Sequence, residues 1–163
     1  MGSGDDRNAQ YPLRYRHLFE FEAAVAPEYS IARGEAPARL AICYFTGGHF
    51  SGDRLRGILL PGGGDWADYR TEQALWIDVR GLLETDDGAR IYMQYRGVWC
   101  AAPGALTAVL RRGEPYRHED HYLRVAARFE TDAARYRWLN SVVVIGVGGY
   151  ADGGVHYSFY EIQ

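Results

Sequence analysis

Glycine is the residue that most constrains how this chain can fold. It accounts for 20 of the 163 residues, whereas an average usage of ~7% would give about 11. Tyrosine is also frequent, with 13 residues. Glycine supplies the positive φ of tight turns and the bends of curved strands, so many glycines among aromatic and β-branched residues indicate a sheet with frequent turns. We therefore predict a mainly β fold.

The overall composition is typical of one soluble globular domain. Hydrophobic residues make up 47% of the chain and charged residues 24%, and the net charge is −3. This balance disfavours disorder and nucleic-acid binding, and the longest apolar run, 142–147, is too short to cross a bilayer. We expect a cytoplasmic protein whose partner is a small molecule, not a nucleic acid or a membrane, with a homodimer left open. Residues 1–15 are predicted to be a flexible arm and residues 16–163 a single domain.

The absence of lysine and of a clear metal-binding motif excludes several classes of reaction. All 18 basic residues are arginine, which excludes Schiff-base, pyridoxal phosphate and Walker-loop chemistry because each needs a lysine. Cys43 and Cys100 form no Cys-x-x-Cys pair, and the segment 118–121, His-Glu-Asp-His, lacks an evident third ligand. We therefore predict no metal site and no cofactor.

Alternating apolar and polar residues predict about eight strands, which are His17–Val25, Arg39–Thr46, Arg54–Leu60, Leu75–Glu84, Ala89–Cys100, His121–Glu130, Ser141–Tyr150 and Val155–Ile162. Pro103–Gly113 is the best helix candidate, and Thr131–Asn140 is predicted to be a short helix or turn. Short connections imply antiparallel neighbours, and closure removes exposed sheet edges. The sequence therefore predicts a single antiparallel β-barrel of about eight strands, wide enough to be filled by side chains or to hold one small ligand.

Asp87-Gly88 is a strong hairpin signal, because both central residues of a two-residue turn need positive φ. A two-residue turn places Asp78 opposite Gly97 and Arg80 opposite Tyr95. Side chains alternate with period two, so one face of the hairpin is predicted to carry Trp76, Asp78, Arg80, Tyr95 and Trp99. The opposite face is predicted to carry Leu75, Ile77, Val79, Val98 and Arg96.

The charged pair Asp78 and Arg80 among aromatic rings is typical of a pocket that binds a polar or aromatic molecule, although the same face could point to solvent. Arg96 on the more apolar face needs a carboxylate or an anionic ligand, and Glu130 is the predicted partner. Both faces cannot line one lumen, so the inward face stays open. The segment Pro61–Gly64 could present Asp65 and Trp66 at the barrel mouth, or it could be a structural corner.

Three stretches of the chain resemble a known family. They are Gly47–Phe50 leading to Leu59–Trp66, Thr85–Tyr92 with Arg96–Val98, and Phe129–Thr131 with Tyr136–Asn140. Together they resemble the β-barrel family catalogued as domain of unknown function 3237, also called UPF0311, over His17–Ile162. The resemblance implies a lipocalin-like barrel with a pocket, and members that accompany genes for the metabolism of small organic molecules.

We hypothesise a cofactor-independent enzyme that isomerises, cyclises or dehydrates an aromatic or polyketide-like metabolite bound in the barrel. Asp78 or Glu130 would carry the proton, and Arg80 and Arg96 would stabilise oxyanion charge. Asp65 and Asn140 would orient the substrate between aromatic walls, which are Trp66, Trp76, Tyr95, Trp99 and Trp138. One alternative is a non-catalytic carrier or sensor with the same pocket. Another is a structural subunit whose barrel is filled by side chains.

Overall fold

The alternation of apolar and polar residues folds the chain into strands that share one enclosed interior. The computed structural model describes residues 9–163. Its strands are β1 (Tyr15–Val25), β2 (Tyr29–Ala32), β3 (Arg39–Ser51), β4 (Arg56–Leu59), β5 (Gly64–Thr71), β6 (Ala74–Thr85), β7 (Arg90–Ala101), β8 (His121–Glu130), β9 (Val144–Ala151) and β10 (Gly154–Ile162). The helical segments are α1 (Ala105–Arg112) and two 3-10 turns, His118–Asp120 and Arg137–Ser141.

The sheet closes because β1 pairs with β10 on one side and with β3 on the other. From β1 the order runs through β10, β9, β8 and β7 to β6. Strands β4 and β5 together fill the gap between β6 and β3, while β2 continues along the β3 edge that β1 occupies. These pairings give eight positions around the barrel, which confirms the predicted antiparallel barrel of about eight strands with one or two short helices.

One end of the barrel, which we call the closed end, is filled by aromatic side chains. The ring of Phe19 lies 5.4 Å from Phe50, 5.9 Å from Phe129 and 5.3 Å from Phe159, measured between centroids. All four side chains are buried, and each contributes roughly 1.5–3 kcal/mol through removal of its apolar surface from water. The opposite end, which we call the open end, is bordered by α1 and retains an internal cavity.

The predicted register of the β6–β7 hairpin is wrong by one residue. Asp78 pairs with Arg96 and Val79 pairs with Tyr95, because the turn has three residues and not two. The Thr85 N–H donates to the Ala89 carbonyl across the loop, and Gly88 alone takes positive φ, at 82°. This is the geometry of a turn followed by a glycine bulge. Side chains alternate between the two faces of a strand. A shift of one residue in the pairing therefore changes which β7 side chains lie on the same face as a given β6 side chain.

Two strands were not predicted. Strand β2 is four residues long and exposed along its whole length. Strand β5 begins at Gly64, the last residue of the Pro61–Gly64 segment, for which the sequence predicts only a barrel mouth or a structural corner. Of the predicted arm, residues 1–8 lie outside the described residues, and Tyr15 already pairs with Ile162 in the barrel wall.

Candidate active site

The open end of the barrel contains a cavity of about 520 Å³. This volume lies within the range of small-molecule pockets, ~300–1,000 Å³. Much of its wall is apolar and includes Val25, Leu75, Ile77, Val79 and Val155. The barrel is therefore not completely filled by its own side chains, contrary to what a purely structural subunit predicts. The remaining space can enclose one small organic molecule.

Asp65 projects from β5 into this cavity. Along β5, Asp65, Ala67 and Tyr69 line the cavity, whereas Trp66 and Asp68 border a groove on the outside of the barrel. Oδ1 of Asp65 accepts a hydrogen bond from the backbone N–H of Asp78 at 3.0 Å. Burial raises the pKa of the Asp65 carboxyl to about 7, against the lowering effect of that hydrogen bond. Near neutral pH such a group can both accept and donate a proton.

Two tyrosine side chains lie beside Asp65 in the cavity wall. Tyr95 on β7 and Tyr157 on β10 are buried, and their ring centroids are 5.4 Å apart. Burial raises the pKa of both phenols well above its ordinary value, and the negative charge of Asp65 adds to the shift. Both hydroxyls therefore stay protonated near neutral pH and can act as hydrogen-bond donors.

The rim of the cavity is charged. Glu28, in the segment between β1 and β2, accepts a hydrogen bond from Nη2 of Arg111 on α1 at 2.6 Å. Its Oε1 atom also lies 3.5 Å from Nε of Arg39 on β3. The Arg39 guanidinium covers the ring of Tyr69, 3.6 Å from its centroid. These contacts tie the helix, the β1–β2 segment and the barrel wall together at the cavity entrance.

Trp99 and Cys43 complete the wall near Asp65 and the rim. Nε1 of Trp99 donates a hydrogen bond to Nδ1 of His121 at 2.9 Å, which fixes the indole against the wall. Burial raises the pKa of the Cys43 thiol to about 11, with a further contribution from the charge of Asp65. Cys43 is therefore a neutral thiol at physiological pH and acts as part of the apolar lining.

The structure places five of the predicted site residues along a groove on the outside of the barrel, which are Trp66, Trp76, Asp78, Arg80 and Arg96. Trp76 is 47% exposed. Asp78 Oδ1 lies 3.1 Å from Nε of Arg96 and 3.2 Å from Nη1 of Arg80. The prediction that Trp76, Asp78 and Arg80 share a face with Tyr95 and Trp99 is therefore wrong, because the three-residue turn sets a different register. Arg96 likewise lies outside and pairs with Asp78, not with Glu130.

The other predicted residues divide between the cavity and distant positions. Asp65, Tyr95 and Trp99 line the cavity, whereas Trp66 faces the outer groove. Glu130 is exposed at the end of β8. Trp138 and Asn140 lie at the closed end, where Asn140 exchanges two hydrogen bonds of 2.9 Å with the backbone of Thr131. Glu130, Trp138 and Asn140 are therefore absent from the cavity lining.

Several cavity residues were not singled out from the sequence. Tyr157 belongs to the regular alternation Val155, Tyr157, Phe159, and this pattern alone could have indicated its inward direction. Glu28 and Arg111 meet only through the fold, 83 residues apart in the chain, and no local pattern predicts that contact. Within residues 9–163, no group of three or more His, Cys, Asp or Glu side chains is arranged to hold a metal ion. No helix in this range is long and apolar enough to cross a membrane.

Fold and site together define a small closed β-barrel with an internal, ligand-sized cavity. The chain belongs to the family described as protein of unknown function (DUF3237), whose model matches residues 13–162. It is 34% identical to the UPF0311 protein RPA1785 of Rhodopseudomonas palustris over 134 residues, which cover 82% of this chain and 86% of the relative. A UPF0311 protein of Clostridium acetobutylicum is 25% identical over 151 residues, 93% of this chain and 95% of the relative.

Solved structures show the same barrel. The crystal structure of RPA1785 superposes with a TM-score of 0.85 at 27% identity, covering 95% of this chain and 100% of the other. A β-barrel-like protein from Acinetobacter baumannii gives a TM-score of 0.80 at 30% identity, with 96% and 99% covered. An enzyme from Penicillium herquei gives 0.69 at 22% identity, with 96% and 98% covered. This last likeness shows the fold alone.

Proposed function

We propose that this protein is a cofactor-independent enzyme that transfers protons on a small organic molecule held in the barrel. Asp65 is its acid and base. The observation that carries the proposal is a carboxyl group inside a largely apolar cavity of about 520 Å³, beside the hydroxyls of two buried tyrosines. An aromatic or polyketide-like molecule suits the aromatic and aliphatic walls.

The chemistry follows from the two kinds of polar group. The ionised Asp65 carboxylate removes a proton from a carbon or a hydroxyl group of the substrate, and negative charge moves to a substrate oxygen. The hydroxyls of Tyr95 and Tyr157 donate hydrogen bonds to that oxygen. The protonated Asp65 then returns its proton at another atom, which completes an isomerisation or a cyclisation, or expels water in a dehydration. General acid–base catalysis of this kind contributes typically 10²–10⁴-fold in rate.

The proposed reaction class is the one inferred from the sequence, but different residues now carry it out. Asp65 replaces Asp78 and Glu130 as the proton carrier, and the two tyrosines replace Arg80 and Arg96 as oxyanion donors. The Penicillium herquei enzyme shares only the fold of this chain, so the proposal rests on the cavity and on Asp65.

Nitrobenzisoxazole provides a test that does not require the natural substrate. A base removes its ring C–H proton while the ring N–O bond breaks, and the product is a coloured cyano-nitrophenolate. We expect the wild-type protein to accelerate this reaction, with a rate that rises with pH through about 7, as Asp65 ionises. Asp65→Asn should lower the rate ~10²-fold or more, because the carboxamide cannot accept the proton.

Asp68→Asn is the matched control, because Asp68 belongs to the same strand and faces the outer groove. It should leave the rate of the nitrobenzisoxazole reaction unchanged. Equal rates for wild type and Asp65→Asn would refute the assignment of Asp65 as the base.

A non-catalytic carrier is the second candidate, and the largely apolar wall of the cavity favours it. A carrier would bind nitrobenzisoxazole without accelerating its breakdown. Binding without acceleration would therefore support the carrier in place of the enzyme.

A further inference from the structure

Two guanidinium groups at the rim of the cavity depend on one carboxylate. Arg111 lines the cavity entrance directly, and Arg39 stands behind it over the ring of Tyr69. Glu28 is the carboxylate between these two guanidinium groups. Both guanidinium groups therefore share a single carboxylate contact, the one with Glu28.

The hydrogen-bonding capacity of the two arginines is not fully used. The Nε atom of Arg39 is buried and has no hydrogen-bond partner, because its 3.5 Å separation from Glu28 is too long and poorly directed for a hydrogen bond. A buried unpaired N–H is unfavourable, and guanidinium groups bind carboxylates best through two parallel hydrogen bonds. Glu28 therefore satisfies Arg111 and leaves Arg39 with a free donor.

We infer that the ligand of this cavity is an amphipathic anion, whose apolar body fills the barrel and whose carboxylate or similar oxyanion binds Arg111 and Arg39 in place of Glu28. The inference rests on the cavity of the proposed function, and it does not depend on Asp65 acting as a base. Glu28 is the internal substitute for the ligand's acid group. When the ligand binds, Glu28 is released toward solvent and the contact between α1 and the β1–β2 segment opens.

The apolar wall of the cavity and the charged rim together favour the binding of an amphipathic anion. A neutral apolar molecule gains the burial energy of the cavity but leaves the contact between Glu28 and Arg111 in place. A small polar anion can compete for the arginines but does not fill the volume below them. Only a molecule with both parts uses both features, so its two ends are recognised by different surfaces.

Two dyes that differ by one charged group test this inference. Anilinonaphthalene sulfonate has an aromatic body and a sulfonate, and phenylnaphthylamine has the same body without the sulfonate. Both become fluorescent in apolar surroundings, so each can be titrated onto the folded protein. Arg111→Met should weaken sulfonate binding about tenfold or more, the loss expected for a hydrogen bond between charged groups. The same variant should leave the affinity for phenylnaphthylamine within about twofold.

Glu28→Gln gives the opposite expectation. Removal of the competing carboxylate should strengthen sulfonate binding about fivefold without changing the neutral dye. Arg112→Met is the matched control on the same helix, because Arg112 pairs with Glu114 away from the rim. Ala67→Phe fills the cavity from its wall and identifies the signal that comes from inside the barrel.

Both dyes responding equally to Arg111→Met and Glu28→Gln would overturn the inference, as would a sulfonate signal that Ala67→Phe does not reduce. The outcome is separate from that of the proposed function. Nitrobenzisoxazole is neutral and reports on Asp65, whereas the ratio of the two dye affinities reports on the rim.

Discussion

Replacement of Asp65 by asparagine should make the protein more stable at alkaline pH while it removes the proposed base. In the folded protein burial raises the pKa of Asp65 from 3.8 to about 7. Asparagine is neutral at every pH, and its carbonyl oxygen can still accept the hydrogen bond from the backbone N–H of Asp78. The variant therefore keeps the local geometry and removes only the cost of ionising a buried acid.

The pH dependence of stability follows from the difference between the pKa of Asp65 in the folded chain and its pKa in the unfolded chain. Below about pH 3 the carboxyl is largely protonated in both the folded and the unfolded chain, so it adds little pH dependence. As the pH rises, the unfolded chain ionises first, and the wild type loses stability until the folded carboxyl ionises near pH 7. Each pKa unit is worth about 1.4 kcal/mol, so the total loss is about 4 kcal/mol. About 3 kcal/mol of this falls between pH 5 and pH 8.

Urea unfolding of wild type and Asp65→Asn across this pH range measures the difference directly. Other ionisable groups titrate equally in both proteins and cancel, and Asp68→Asn controls for the loss of one negative charge from β5. We expect the free energy of unfolding of Asp65→Asn, relative to wild type, to rise by about 3 kcal/mol from pH 5 to pH 8. Parallel stability curves for the two proteins would show that the carboxyl is hydrated, and would remove the physical basis of the proposed acid and base.

Two further predictions concern residues outside the cavity. Asp78→Asn should cost less than ~1 kcal/mol of stability by urea unfolding, because the ion pairs with Arg80 and Arg96 are solvent-accessible. Its rate in the nitrobenzisoxazole assay should stay within about threefold of wild type, whereas a ~10²-fold loss would restore Asp78 as the proton carrier. Asn140→Ala should cost about 0.5–1.5 kcal/mol, because it removes two solvent-accessible hydrogen bonds to the Thr131 backbone. Unchanged stability of Asn140→Ala would contradict this structural role, and changed dye affinity would connect the closed end to the cavity.

The barrel was predictable because strand alternation and turn residues repeat along most of the chain. The predicted strand His121–Glu130 matches β8 residue for residue. Helix α1 lies within the predicted segment Pro103–Gly113 and ends at Arg112, and the next residue, Gly113, takes the positive φ of 66° that is typical of a glycine after a helix. Each of these signals is local, so the sequence within about ten residues carries it. Contacts between distant segments, such as the one between Glu28 and Arg111, have no such local signal in the sequence.

The predicted register of the β6–β7 hairpin is wrong because the dipeptide Asp-Gly forms two different turns in this chain. Asp152 and Gly153 both take positive φ, at 51° and 74°, and form the two-residue turn between β9 and β10. Asp87 does not adopt positive φ. Its carboxylate accepts hydrogen bonds from the hydroxyls of Thr85 and Tyr136, and these hold it in the wider three-residue loop. Tyr136 lies 49 residues further along the chain, so the local sequence could not distinguish the two turns.

The glycines before Asp65 determine where its side chain lies, and they also made that position hard to predict from the sequence. The sequence predicts a barrel mouth or a structural corner at Gly62–Gly64, but the backbone there is packed closely, and a Cβ at Gly63 would lie 2.3 Å from the Arg80 carbonyl oxygen. A Cβ at Gly64 would lie 2.2 Å from the Cys43 carbonyl oxygen. Both glycines also take positive φ, at 70° and 154°, which other residues rarely adopt. They let the chain enter tightly between β3 and β6, and Asp65 is then the first side chain that can point inward. The glycine run thus sets the depth at which a carboxyl group enters the barrel.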